Sequence, residues 1–157
     1  MKRFAALLAF AACMTDADPA LAASDPLGDM IATVSQQSSI TAQWFMKATL
    51  YHAGAPGVGN RDAKGCTPVA LRTAAVDRSV APLGSLLFIK ETVGVRMPDG
   101  SKHDGFWYAS DTGGAIKGRR IDLYTGSGTA SMSAIMKLNL ATLTVAKVGS
   151  FRGCPPR

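Results

Sequence analysis

The sequence predicts a mainly β protein, a small closed barrel of six strands with one or two short helices. Three observations lead there. Six short stretches of apolar, β-branched and aromatic residues succeed one another, each bounded by Gly, Pro, Asn or Asp. One segment alone, Thr129 to Leu138, has convincing helical character. Closure is the arrangement that leaves so many short strands without an exposed edge. A chain of 157 residues supports one such domain with a sizeable core, and not two.

In chain order, residues 1–23 read as an export signal. Met1-Lys2-Arg3 is basic, Phe4 to Met14 is apolar, and Ala20-Leu21-Ala22 offers small residues to a signal peptidase. The apolar run is too short for a stable membrane span, so a mature chain starting near Ser24 is expected in the periplasm or envelope of a bacterium. Cys13, after Phe10-Ala11-Ala12, loosely resembles a lipidation site, and a lipid anchor there is the alternative; the bulky Phe10 and the early position of Cys13 count against it. Residues 24–43 read as a polar tether, with a short helix around Gly28 to Val34, and residues 44–157 as the barrel domain. Its strands are expected at Met46 to His52, Val69 to Val76, Ser85 to Val95, Gly105 to Ser110, Arg119 to Tyr124 and Ala141 to Val148. Pro98-Asp99-Gly100-Ser101 is a hairpin turn, so the strands flanking it should pair antiparallel. The helix at Thr129 to Leu138 should be capped by Ser127 or Thr129 and bury Ile135, Met136 and Leu138.

The chain has 17 Lys plus Arg against 11 acids, a net charge of +6. Removing the signal leaves that balance unchanged, because Lys2 and Arg3 go together with Asp16 and Asp18. A basic exported protein is drawn to anionic partners such as the cell wall. Nucleic acid is not expected, since the cations are scattered and no binding module is present. Cys66 and Cys154, an even pair in an exported chain, favour a disulfide, worth roughly 4 kcal/mol on a chain-entropy argument. Two cysteines without a CxxC pair and two separated histidines make no metal cluster, and no cofactor is implied. His52 and His103 read as surface residues; Trp44 and Trp107 suit either stacking on sugar rings or packing on the barrel.

Scarce acids in strand-and-turn settings mark the candidate site. Asp111 and Asp122 lie eleven residues apart across a glycine-rich turn, and Asp77 lies upstream in Ala75-Val76-Asp77-Arg78-Ser79. Asp111-Thr112-Gly113 invites an aspartic-protease reading, which would need a homodimer so that two aspartates share a proton; Ser110 before it and Gly114-Ala115-Ile116-Lys117-Gly118 after it are unlike that motif. Asp111 and Asp77 also read as turn-closing residues. Asp122 is harder to explain that way. It interrupts the apolar strand Ile121-Asp122-Leu123-Tyr124, where β-propensity disfavours it, and alternation turns it away from Ile121 and Leu123. Burial in a groove near Asp111 would raise its pKa and suit it to general-acid cleavage of a glycosidic bond.

Taken together, Ala75-Val76-Asp77-Arg78-Ser79-Val80-Ala81-Pro82-Leu83-Gly84, Ser110-Asp111-Thr112-Gly113-Gly114-Ala115-Ile116-Lys117-Gly118 and Ile121-Asp122-Leu123-Tyr124-Thr125-Gly126 resemble the three-aspartate (3D) domain, as does the opening Lys47-Ala48-Thr49-Leu50-Tyr51. The resemblance covers about Phe45 to Phe151 and implies a double-psi β-barrel shared with expansin-like proteins. It implies peptidoglycan glycan strands as the substrate, with Asp122 as the catalytic acid/base and Asp111 and Asp77 in support. The acid protonates the oxygen between N-acetylmuramic acid and N-acetylglucosamine, then takes the proton of the muramic C6 hydroxyl that attacks C1, giving a 1,6-anhydro product. Thr112, Gly113, Gly114, Lys117 and Tyr124 are the expected sugar contacts, although a glycine-rich loop also serves simply as a turn. The larger family members carry a second domain for which this chain has no room, so wall binding without cleavage, as in expansin-like proteins, is the rival expectation.

Overall fold

The computed structural model describes residues 40–157. The expected export signal, Cys13 and the short helix around Gly28 to Val34 lie outside the described residues. Six strands follow: β1 (Ala42–Ala53), β2 (Thr73–Val76), β3 (Ser85–Ile89), β4 (Phe106–Asp111), β5 (Arg120–Ser127) and β6 (Thr142–Ser150). They close into a barrel in the order β1-β5-β2-β4-β3-β6. β1 with β5 and β2 with β4 pair parallel, and the remaining neighbours pair antiparallel. This is the six-stranded double-psi β-barrel.

Alternation builds the barrel wall. On β1, Met46 and Ala48 point inward and are fully buried while Phe45 and Lys47 are exposed. On β5, Ile121 and Leu123 point inward. These join Leu87, Ile89, Trp107, Leu143 and Val145 in one core, each large aliphatic side chain contributing about 1.5–3 kcal/mol by its burial. No helix among the described residues is long and apolar enough to cross a membrane.

Several elements differ from expectation for local reasons. The expected strand Val69 to Val76 shortens to Thr73–Val76. Val69 and Thr73 bond reciprocally, the Val69 N–H to Thr73 Oγ1 at 2.9 Å and the Thr73 N–H to the Val69 carbonyl at 2.9 Å, closing a turn with Leu71 at φ 55°. The expected strand Ser85 to Val95 ends at Ile89, because residues Lys90–Thr92 form a 3-10 turn in which Thr92 Oγ1 donates to the Ile89 carbonyl at 2.8 Å. β3 and β4 do pair antiparallel, Leu87 opposite Trp107, with the Pro98–Ser101 turn inside the connection. Gly105 opens β4 with φ 90°, and a side chain there would sit 2.5 Å from the Phe88 ring.

The segment Thr129–Leu138 is 3-10 rather than α-helical and breaks at Ile135. Neither Ser127 nor Thr129 caps it; the N-terminal residue is Gly128, at φ 71°, with no side-chain cap bond. Ile135 and Leu138, three residues apart, share the buried face as expected, whereas Met136, a third of a turn on from Ile135, faces away and is 46% exposed.

His103 corrects the surface expectation. It is buried, stacks on Trp107 with ring centroids 5.1 Å apart, and lies 2.6 Å through Nε2 from the Leu71 carbonyl. Its Nδ1 accepts the Gly105 N–H at 2.8 Å, so Nε2 carries the proton and donates to Leu71. Trp107 is fully buried with its indole N–H donating to Thr92 Oγ1 at 3.0 Å, so it packs in the core. Cys66 and Cys154 are joined, with Cα atoms 5.5 Å apart across 88 residues of sequence.

Two measurements check this account. The disulfide closes a long loop, so replacing both cysteines by serine should lower unfolding free energy by about 4 kcal/mol in a urea titration. Burial, the larger influence, holds His103 below its ordinary value of 6.5, so the unfolded chain binds a proton that the folded one refuses. Stability should be flat above about pH 7 and fall below about 6.5 by at most about 1.4 kcal/mol per pH unit. His103→Gln should be less stable at pH 7 and lose that part of the slope in urea titrations from pH 7.5 to 5.

Candidate active site

One register line across the sheet assembles the site. Thr49 on β1 lies opposite Asp122 on β5, Asp122 opposite Ala75 on β2, and Ala75 beside Asp111 on β4 after a bulge. The two carboxylates therefore stand two strand spacings apart, about 10 Å between backbones, with the small Ala75 between them. They line a common cleft of about 480 Å³ with Tyr51, Asp62, Ala63 and the Ala55–Gly59 loop.

The two acids are held differently. Asp111 Oδ2 accepts the Tyr51 hydroxyl at 2.8 Å, and Oδ1 accepts the backbone N–H groups of Thr112 at 2.8 Å and Ala63 at 3.1 Å. These three donors fix the orientation of its carboxyl group. They engage both of its oxygens within the chain. Tyr51 is itself pushed far up, chiefly by burial and then by the Asp111 charge, so it remains a donor.

Asp122 has the opposite surroundings. Its Oδ1 is buried without a hydrogen-bond partner. Burial raises its pKa most; the Thr49 hydroxyl beside it lowers it, the Asp111 charge raises it, and Arg120 lowers it, with a net upward shift. Thr49 Oγ1 makes no bond of proper geometry, so it acts on the carboxyl as a neighbouring dipole. The pair thus divides into an acid fixed by three donors and a carboxyl biased toward keeping its proton, the latter being what acid catalysis uses.

Asp77 lies outside this cleft. Its Oδ1 accepts the Ser79 N–H and hydroxyl at 2.9 and 2.7 Å, and its Oδ2 accepts the Gly118 N–H at 2.7 Å. Those bonds, the Gly118 one foremost, lower its pKa to about 2. It pins the far end of the glycine loop and lines a second, smaller hollow with Thr112, Gly113, Gly114 and Lys117. Thr112 and Gly113 line both hollows and form the ridge between them. A side chain at Gly113 would sit 2.7 Å from Ile116, so this loop has no space for one. Gly114 and Lys117 therefore face the Asp77 side only. Tyr124 lies against Tyr51, ring centroids 5.2 Å apart, but lines a larger apolar hollow of about 740 Å³ on the other side of Pro68.

Sequence reasoning missed Tyr51, Thr49 and Asp62 as site residues. Asp62 is buried, accepts the Lys64 and Cys66 N–H groups at 3.0 and 2.8 Å through Oδ1, and has Oδ2 unpartnered. The one signal for Tyr51 was alternation, which places it on the face of Thr49; Asp62, in a polar glycine-rich loop, carried none. Among the described residues no group of three or more His, Cys, Asp or Glu side chains converges to hold a metal ion.

A closed double-psi barrel with an unequal pair of acids on either side of a central strand is the class this structure defines. Residues 72–136, which contain Asp77, Asp111 and Asp122, match the family model of the 3D domain. Among solved structures it is similar to Escherichia coli MltA with bound chitohexaose, at 23% identity over 62% of this chain and 30% of that one, TM-score 0.45. It is similar to a membrane-bound lytic murein transglycosylase from Agrobacterium tumefaciens, at 30% identity over 52% and 23%, TM-score 0.40. LtgG, a lytic transglycosylase of Burkholderia pseudomallei, matches at 26% identity over 58% and 26%, TM-score 0.38. The chain spans under a third of the length of these proteins. No curated protein matches it.

The opposition of Asp111 and Asp122 has a direct check. In a carbon-13 NMR titration, Asp111→Asn removes a negative charge that raises Asp122, so the Asp122 midpoint should move to lower pH. An unchanged or higher midpoint would show that the two carboxyls do not interact.

Proposed function

We propose that the protein is a peptidoglycan lytic transglycosylase that cleaves the bond between N-acetylmuramic acid and N-acetylglucosamine with Asp122 as its single acid/base. The observation that carries this reading is the half-buried, raised Asp122 in a cleft it shares with Asp111, an acid held by three donors. Protonated Asp122 gives its proton to the glycosidic oxygen as the C1–O bond breaks. The resulting carboxylate takes the proton of the muramic C6 hydroxyl, whose oxygen closes on C1, and Asp122 ends the cycle protonated again. Charge on Asp111 helps retain the proton at the start and stabilises positive charge developing on the sugar ring. Asp77 keeps the Gly113–Gly118 loop in place and acts as a positioning residue. The 3D-domain match over all three aspartates and the motifs around them support the same reading.

A second reading is favoured by one observation: among the described residues the cleft is lined by the barrel and its loops alone. An expansin-like protein would bind the glycan there and leave it uncut.

Digestion of purified sacculi separates the two. The enzyme reading expects 1,6-anhydromuropeptides by mass spectrometry, lost by about 10²-fold or more in Asp122→Asn. Sacculus binding with no new anhydro ends would establish the binder, and anhydro products persisting in Asp122→Asn would displace Asp122 as the acid.

A further inference from the structure

The acid of the cleft stands at one end of an exposed strip on the same barrel face. Alternation sends Phe45, Lys47, Thr49 and Tyr51 of β1 outward, and Arg120, Asp122 and Tyr124 of β5 likewise. Register sets Lys47 opposite Arg120 one step from the Thr49–Asp122 pair, about 7 Å along the strands. Two like charges directly opposed across a strand pair are unfavourable, and among the described residues neither forms a salt bridge. Arg120 reaches only the Ala115 carbonyl, at 3.4 Å, and its charge is felt by Asp122. Phe45 follows at 62% exposure, and Leu140, 61% exposed at φ 64°, is tied to the other side of β1 by its N–H on the Ala48 carbonyl. Paired cations flanked by open apolar side chains form a surface complementary to a short acidic peptide.

We propose that this strip binds the peptide stems of the glycan, with Lys47 and Arg120 on their carboxylates and Phe45 and Leu140 on their aliphatic parts. This rests on the glycan reading of the cleft and adds to it a preference for stem-bearing strands over bare ones. The commitment to stems follows from position: the cations lie beside the cleft on the outer wall, where a substituent hanging from the bound strand passes, while the sugar ring itself faces Asp122.

The test uses the full chain with Asp122→Asn, which binds without cutting, and three probes: glycan strands with stems, the same strands stripped by an amidase so that only the lactyl carboxylates remain, and chitohexaose. Calorimetry should show stem-bearing strands bound roughly five- to tenfold more tightly than stripped strands, as two exposed ion pairs allow. Adding Lys47→Gln and Arg120→Gln should erase that difference and leave chitohexaose affinity unchanged; Phe45→Ala should reduce it in part. Near-ultraviolet circular dichroism confirms that the variants are folded. Equal affinity for both strands, or equal loss on both in the charge variant, overturns the proposal, the latter assigning the cations to the lactyl group. Binding to phosphatidylglycerol vesicles that depends on Lys47 and Arg120, without stem preference, also overturns it and makes the strip a membrane contact. If none of the three probes binds, the glycan reading itself fails, a result distinct from loss of stem preference alone.

Discussion

The site depends on how β2 is paired. Its four residues are all buried, and Ala75 serves at once as partner of Asp122 on the antiparallel side and of Asp111 on the parallel side. That double pairing is available only because the barrel closes with β2 between β4 and β5. It holds the two acids two strands apart, near enough for the charge of one to raise the other and too far apart for them to share a proton directly. The bulge between Ala74 and Ala75 turns β4's last residue onto the outer face, where Asp122 already lies. Ala75 is also a floor: a larger outward side chain there would occupy the space between the carboxyls.

Loops, not strands, make the two acids unequal. Asp111 owes one of its donors to Ala63, whose loop is closed by the Asp62 N–H on the Cys66 carbonyl and by Asp62 Oδ1 on the Cys66 N–H. Cys66 is in turn fastened to the C-terminal tail through Cys154. The disulfide thus does more than shorten the unfolded chain. It anchors the wall that supplies an N–H to the supporting carboxylate. On the opposite side, Asp77 does comparable work for the glycine loop through Gly118. Both clamps are hydrogen bonds from backbone N–H groups to aspartates, and neither places a donor on Asp122.

Much of this was legible in the residues, and the parts that were not share a cause. Strand positions followed from composition, and the separation of Asp111 from Asp122 followed from the Gly113-Gly114 turn between them. Asp122 announced itself by violating the strand pattern. Strand ends were misjudged where a side chain competed with the ladder, as Thr73 does at Val69 and Thr92 does at Ile89. His103 read as a surface residue because its neighbours are polar; its burial comes from Trp107 and Leu71, brought to it by closure. Tyr51 and Asp62 were missed for the same reason. Tyr51 matters through its bond to Asp111, 60 residues away in sequence, and Asp62 through the cleft wall it shares with Asp111 and Asp122, and no local pattern records either.

Arg120 has an apparently contrary effect, since it lowers Asp122 while standing one residue pair away along the strand. A cation beside a general acid weakens its hold on the proton, and a site built only to keep Asp122 protonated would exclude it. The surrounding strip resolves the conflict. If an anionic group of a bound strand pairs with Arg120, as proposed above, the pull of that cation on Asp122 diminishes and burial and Asp111 act with less opposition. On the same proposal a substrate carrying carboxylates strengthens the acid's hold on its proton as it binds, whereas with one lacking them Arg120 continues to offset part of the upward shift. On this account the cationic pair serves selection as well as attachment, because it links the protonation of Asp122 to the presence of the acidic group beside the bond to be cut.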